Sequence, residues 1–196
     1  MRRSNARAGS SDAQPRAPRL SRGTRNFDDF TVRDAAVQDV EPVATLLREV
    51  YVGEGLIRAD RAPTIDGVRL QVAVGGLLVA EELSTPTLLG TVALVTARNP
   101  FAELANPVRG EISALAVRAA ARGRGVARAL LQECMRRSAD MGLDEAVLTT
   151  APQMEEAQLL YRRMGFRRRR DLDFTVDRSP RMAYAVALYE LARRQM

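Results

Sequence analysis

The chain has 196 residues, 46% of them hydrophobic, which suits one globular domain with a full core. All 30 basic residues are arginine, histidine and tryptophan are absent, and Cys134 is the single cysteine. These absences exclude a Ser-His-Asp triad, a His-ligated metal, a phosphate-loop lysine and an internal disulfide; no metal is expected, and the lone thiol points to a reducing, cytoplasmic setting.

The formal charge of +6 belongs to one end. Residues 1–26 hold seven Arg against one Asp, so residues 27–196 are neutral overall. That first segment is rich in Arg, Ser, Ala and Pro, with Leu20 its only large aliphatic residue after Met1. It cannot bury enough apolar surface to offset the entropy of ordering, and reads as a disordered tail ahead of a domain over 27–196. No apolar stretch follows Arg2-Arg3, as a secretory signal requires, and no run approaches the roughly 18 apolar residues of a membrane span. The tail's charge can attract nucleic acid or another polyanion; a solvated extension without a partner is the plainer reading.

From residue 27 the pattern alternates strand and helix. Asp29–Arg33 is expected as a first strand, then a helix with Asp39 as N-cap and Val43, Leu46, Leu47, Val50 and Tyr51 on one face. Thr64–Val74 predicts a second helix, Leu77–Glu82 and Leu88–Thr96 a hairpin, Pro100–Pro107 a loop or a short helical turn, and Glu111–Val117 a buried strand. A helix is predicted from Gly125 to Met141. Val126, Leu130 and Cys134 fall on one stripe of it, Arg128, Gln132, Arg136 and Arg137 stay polar, and Gly142 stops it. Cys134 on that stripe reads as packing rather than a nucleophile. Glu145–Thr150 is another buried strand. Thr150-Ala151-Pro152-Gln153 can open the last helix as a capping box, with Met154, Ala157, Leu160, Tyr161 and Met164 buried and Gly165 at its end. Strands near Leu172–Val176 and Tyr184–Leu191 complete a chain without internal repeats.

One stretch stands out. Leu115-Ala116-Val117 ends a strand, and Arg122-Gly123-Arg124-Gly125-Val126-Ala127-Arg128 leads through two glycines straight into the amphipathic helix. Small residues permit close approach of a ligand, and a helix start offers free N–H groups and a positive dipole end. Such a junction suits a di- or triphosphate. Further on stands Leu159-Leu160-Tyr161-Arg162-Arg163-Met164-Gly165-Phe166.

Arg122-x-x-Gly125-x-Ala127 resembles the acyl-CoA-binding motif of the GNAT-type N-acetyltransferases, Arg/Gln-x-x-Gly-x-Gly/Ala. The second stretch is similar to that family's Leu-Tyr-x-x-x-Gly-Phe segment, and the gap between them fits one helix and one strand. The resemblance implies an α/β GNAT fold: a strongly twisted mixed sheet of about seven strands flanked by about four helices, in which the strand before the glycine loop splays from its successor. It implies an acetyl-CoA-dependent N-acetyltransferase. The edges of Leu115, Ala116 and Val117 would pair with the pantetheine arm. Arg122 belongs to the motif, and the N–H groups of Gly123, Arg124, Gly125, Val126, Ala127 and Arg128 would hold the pyrophosphate. Tyr161 would be the general acid, with a core aromatic as its plainer role.

Glu111 takes the family's position for a base acting through water, with Glu81 and Glu82 as alternatives; each also reads as a solvated strand-end charge. Arg162, Arg163 and Arg167–Arg170 suit the adenosine phosphate of CoA, an acidic acceptor or a solvated run. One departure bears on substrate. Where ribosomal-protein N-terminal acetyltransferases place a Glu and an Asn, this chain has Thr149 and Met154, which counts against a protein N-terminus. A small amine is therefore the expected acceptor; a protein acetyltransferase and a non-catalytic acyl-CoA sensor are the alternatives. No motif decides between a monomer and a homodimer.

Overall fold

Two apolar runs set the frame. In the computed structural model, which describes residues 24–188, β3 (Leu77–Glu82) and β4 (Leu88–Val95) pair antiparallel. All of β4 and the first four residues of β3 are buried. A continuous apolar run, rather than an alternating one, is what a strand needs when both faces of its sheet are covered. Leu78, Ala80, Val92 and Leu94 face one core, and Leu77, Val79, Ala93 and Val95 the other. Helices α3 (Val126–Asp140) and α4 (Glu155–Arg163) contribute to the first core; α1 (Val40–Tyr51) and α2 (Ile65–Val74) close the second.

The sheet runs β1 (Arg25–Asn26), β2 (Phe30–Asp34), β3, β4, β5 (Arg109–Val117), β6 (Glu145–Thr150), β9 (Ser179–Ala187), β7 (Arg167–Arg168), with β8 (Phe174–Val176) paired to β9. Among the described residues β5 and β6, the strands joined through α3, form the one parallel pair. Among the described residues nine strands replace the expected seven, because β1 and β7 have two residues each, too few to show a period. Residues 1–23 of the expected tail, and 189–191 of the expected last strand, lie outside the described residues. Arg25 and Asn26, placed in the tail by composition, already pair with Val32 and Thr31. The last strand begins at Ser179 because the polar Ser179-Pro180-Arg181 segment pairs with β8, and Leu172 sits in a 3-10 turn instead of a strand.

The helix ends show where local chemistry decides. Thr64 caps α2, its hydroxyl accepting the Gly67 N–H at 3.0 Å. Asp39 precedes α1 as expected, but its carboxylate turns back to accept the Ala36 N–H at 2.7 Å and the Arg33 guanidinium at 2.6 and 3.0 Å. The expected capping box on α4 does not form. Thr150 is still paired with Met182 in β6, its hydroxyl donates to Met154 Sδ, and α4 starts only at Glu155. Glu155 and Glu156 then face the positive end of the helix.

Arg137, expected on the polar side of α3, is fully buried. It donates to Asp34 Oδ1 at 2.6 Å and to Glu133 Oε1 at 2.8 Å, tying α3 to β2. Cys134 is buried beside it, and burial pushes its thiol pKa up, so it packs as expected. No helix among the described residues is long and apolar enough to cross a membrane.

Candidate active site

The sheet opens in the middle. β5 and β6 pair from Arg109↔Glu145 to Ile112↔Leu148 and then part, while β4 stays with β5 as far as Val117. Residues 113–117 therefore have β4 on one side and, among the described residues, no strand on the other. Within this stretch lies a bulge: the register moves from Thr91↔Ala116 to Ala93↔Ser113, and Ala114 takes φ 50°. A non-glycine residue in the left-handed region and one extra residue per bulge bend the strand locally. The Leu115 carbonyl accepts the Tyr51 O–H at 2.9 Å, so α1 ends against the opening.

Past Val117 the chain makes a 3-10 turn (Ala119–Ala121), then Arg122–Gly125, then α3. Gly123 and Gly125 have φ of 77° and 82°, and a Cβ on either would meet nothing within 4 Å. They answer a backbone demand and leave open space before the helix start. Gly90 acts differently: a Cβ there would stand 2.8 Å from the Ala116 oxygen and 3.1 Å from Val126, so its absence lets β4 seat the helix start beside β5. Among the described residues, none of the six N–H groups from Gly123 to Arg128 donates a hydrogen bond. Six free donors at a positive helix end can hold two phosphate groups, and an unpaired strand edge can take an extended, amide-bearing chain.

The arginine side chains divide the work. Arg122 pairs with Glu54, and Arg124 with Asp29 at 2.5 Å and Glu82 at 2.9 Å, which pins the loop to the body. Arg128 is exposed and has no ion pair among the described residues. Glu82 is thus committed to Arg124 and Glu81 to Arg33, at 2.7 Å. In the later run, Arg168 pairs with Asp173 at 2.5 Å and Arg169 with Glu145 at 2.6 Å. Arg162, Arg163, Arg167 and Arg170 are exposed and, among the described residues, have no ion pair.

Tyr161 sits near the end of α4, 6% exposed, its ring 6.1 Å from Phe166 and 6.2 Å from Tyr184. Its hydroxyl makes no hydrogen bond among the described residues, and burial pushes its pKa up to about 12. Burial also raises the Tyr51 phenol, and a nearby Tyr161 adds to that rise, so the two hydroxyls lie within electrostatic reach. Glu111 is 2% exposed, and one oxygen, Oε2, accepts the N–H groups of Glu103, Leu104 and Ala105 at 2.9, 2.8 and 3.1 Å. Beside it the Glu103 carboxyl has a raised pKa, from desolvation first and then from the Glu111 charge, with Arg181 opposing both.

Residues 43–166 match the model of the acetyltransferase (GNAT) family. The chain belongs to this family. The matched span runs from α1 to the end of the Tyr161 segment and includes the opening and the glycine loop. Comparison with curated protein sequences finds no match to this acetyltransferase. Among solved structures it is similar to a GNAT-family acetyltransferase of Staphylococcus aureus, at 17% identity and TM-score 0.66, covering 81% of this chain and 99% of the other. It is similar to yncA of Salmonella typhimurium, assigned as an acetyltransferase and solved with its cofactor acetyl-CoA (18%, TM-score 0.65, 82% and 95% covered). A third, assigned as a phosphinothricin N-acetyltransferase, shares 20% identity at TM-score 0.61 over 81% and 98% of the two chains.

Tyr51, Glu103 and Arg181, which the fold brings near the opening, were not singled out by the sequence. Tyr51 falls on the apolar stripe of α1, and only its hydroxyl, wasted on a pure core position, hinted at more. For Glu111 the geometry shows a loop anchor. Glu111→Ala is expected to lower unfolding free energy by about 2 kcal/mol in urea titration, because three N–H groups lose a charged acceptor.

Proposed function

We propose that this acetyltransferase moves the acetyl group of acetyl-CoA to the primary amine of a small molecule. The observation that carries the reading is the row of six N–H groups that, among the described residues, donate to nothing, beside an edge of β5 that no described strand pairs. Gly123–Arg128 hold the pyrophosphate, with Arg128 adding charge, while Arg122 and Arg124 keep the loop in place. Leu115, Ala116 and Val117 take the pantetheine arm along their free edge. The amine nitrogen bonds to the thioester carbon, the carbon–sulfur bond breaks, and the sulfur leaves as a thiolate. Tyr161 faces that sulfur. Its pKa of about 12 exceeds that of an ordinary thiol, about 8.5, so it stabilises the thiolate chiefly as a hydrogen-bond donor. Glu103, whose carboxyl pKa is raised first by desolvation and then by the Glu111 charge, serves as proton acceptor for the amine. Glu111, whose Oε2 is committed to three N–H groups, holds the loop that carries Glu103.

Thr149 and Met154 in place of the Glu and Asn expected for protein N-termini support a small acceptor, as does the phosphinothricin assignment of one fold relative. Thiol release from acetyl-CoA over a panel of small amines and peptides tests the reading. Turnover with small amines is expected, equal for the full chain and for one lacking residues 1–23. Turnover confined to peptides would make it a protein acetyltransferase. Tight acetyl-CoA binding with no turnover on any amine would make it a sensor.

A further inference from the structure

Arg181, whose guanidinium has no partner among the described residues, lies in register across the opening from Leu115. Arg181 directly precedes Met182, whose pairing with Thr150 is the last of the β6–β9 ladder, and it lies opposite Phe174 in β8. Counting along the parallel strands from Ile112↔Leu148, Thr150 is in step with Ala114 and Arg181 with Leu115, the residue whose carbonyl Tyr51 holds. Alternation along β9 sets its face. Ala183 and Ala185 pack with Val147, Leu104 and Leu172, so Arg181, two residues before Ala183, lies on that side. Glu111 lies there too, opposite Val147 in the β5–β6 pair. The Arg61–Asp177 pair, at 2.8 Å, draws the segment after α1 to the β8–β9 turn, so both flank this position.

Arg181 is half-buried and, among the described residues, its side chain makes no hydrogen bond or ion pair, whereas Arg168, Arg169 and Arg61 nearby are all paired. Its charge reaches both the Tyr51 hydroxyl and the Glu103 carboxyl. A half-buried guanidinium loses hydration without a compensating partner, and its planar fork matches an oxyanion in two-point contact.

We propose that Arg181 binds an anionic group on the acceptor, so that the substrate of this acetyltransferase is a small zwitterion, an amine that also carries a carboxylate or phosphonate. The proposal rests on the acetyl-transfer reading above. Arg181 and Glu103, of opposite charge, match the two ends of such a molecule. Neutral amines lack the contact that orients the nitrogen, and so pay in KM.

Thiol release by the full-length protein tests this with matched acceptors: L-methionine, L-phenylalanine and aminomethylphosphonate against L-methioninamide, L-phenylalaninamide and methylamine. The anionic members are expected to exceed their neutral partners by more than about tenfold in kcat/KM. Arg181→Gln should abolish that preference chiefly through KM and leave acetyl-CoA affinity in calorimetry unchanged, while Arg181→Lys keeps part of it. A wild-type enzyme that acetylates neutral and anionic members equally well, or an Arg181→Gln variant that keeps the preference, overturns the acceptor assignment alone. No turnover with any amine overturns the acetyl-transfer reading and the assignment with it.

Discussion

Gly125→Asp is expected to leave the chain folded and to weaken acetyl-CoA binding more than a hundredfold in calorimetry. The position tolerates the change sterically. A Cβ there meets nothing within 4 Å, and at φ 82° Asp is among the residues best able to follow glycine, at a cost of about 1–2 kcal/mol. The effect comes from charge. The new carboxylate stands before six N–H groups that donate to nothing else among the described residues, so it takes the donors meant for the diphosphate and repels it. Like charges about 4 Å apart near a protein surface oppose each other by roughly 4 kcal/mol before screening. Gly125→Asn supplies the same shape without the charge and should lose much less. If both variants bind acetyl-CoA as the wild type does, the loop does not hold the pyrophosphate.

Tyr161→Phe should fold and bind acetyl-CoA normally while turnover drops by about a hundredfold or more. Ring packing against Phe166 and Tyr184 is kept, and the hydroxyl leaves no broken hydrogen bond behind among the described residues. Stability should therefore change by less than about 0.5 kcal/mol. The pH dependence has a definite sign. With a pKa of about 12 the phenol stays protonated through the neutral and mildly alkaline range, so kcat should not fall between pH 7 and about 10 through loss of this proton. Wild-type turnover in the Phe variant, with acetyl transfer shown to limit the rate, would return Tyr161 to a packing role.

How far such residues can be read in advance depends on whether their partners are near in sequence. The buried centres of β3 and β6, Leu77–Ala80 and Ala146–Leu148, follow from short apolar runs, because covering both sheet faces demands hydrophobicity at successive positions. The phosphate-type loop is nearly as local: two glycines at positive φ and the first turn of the following helix create its N–H donors, while Gly90 and the ion pairs of Arg122 and Arg124 only seat it against the body. Arg137 and the α4 cap went the other way. Both follow ordinary local rules for a polar helix face and a capping box, and both were overruled by contacts across the fold, with Asp34 in one case and the β6–β9 ladder in the other.

The sequence by itself therefore determined the α/β alternation, the family motifs, the glycine loop and the position of Tyr161, since each is written within a few consecutive residues. The tertiary structure alone decided that β5 parts from β6 after Ile112, that Tyr51 closes on Leu115, that Glu111 anchors a loop, and that the Arg181 side chain, opposite the opening, has no partner among the described residues. The physical reason is range. Backbone conformation and helix-end donors are set by neighbours along the chain, whereas burial, pairing of charges and the parting of two strands arise only when distant segments compete for the same space.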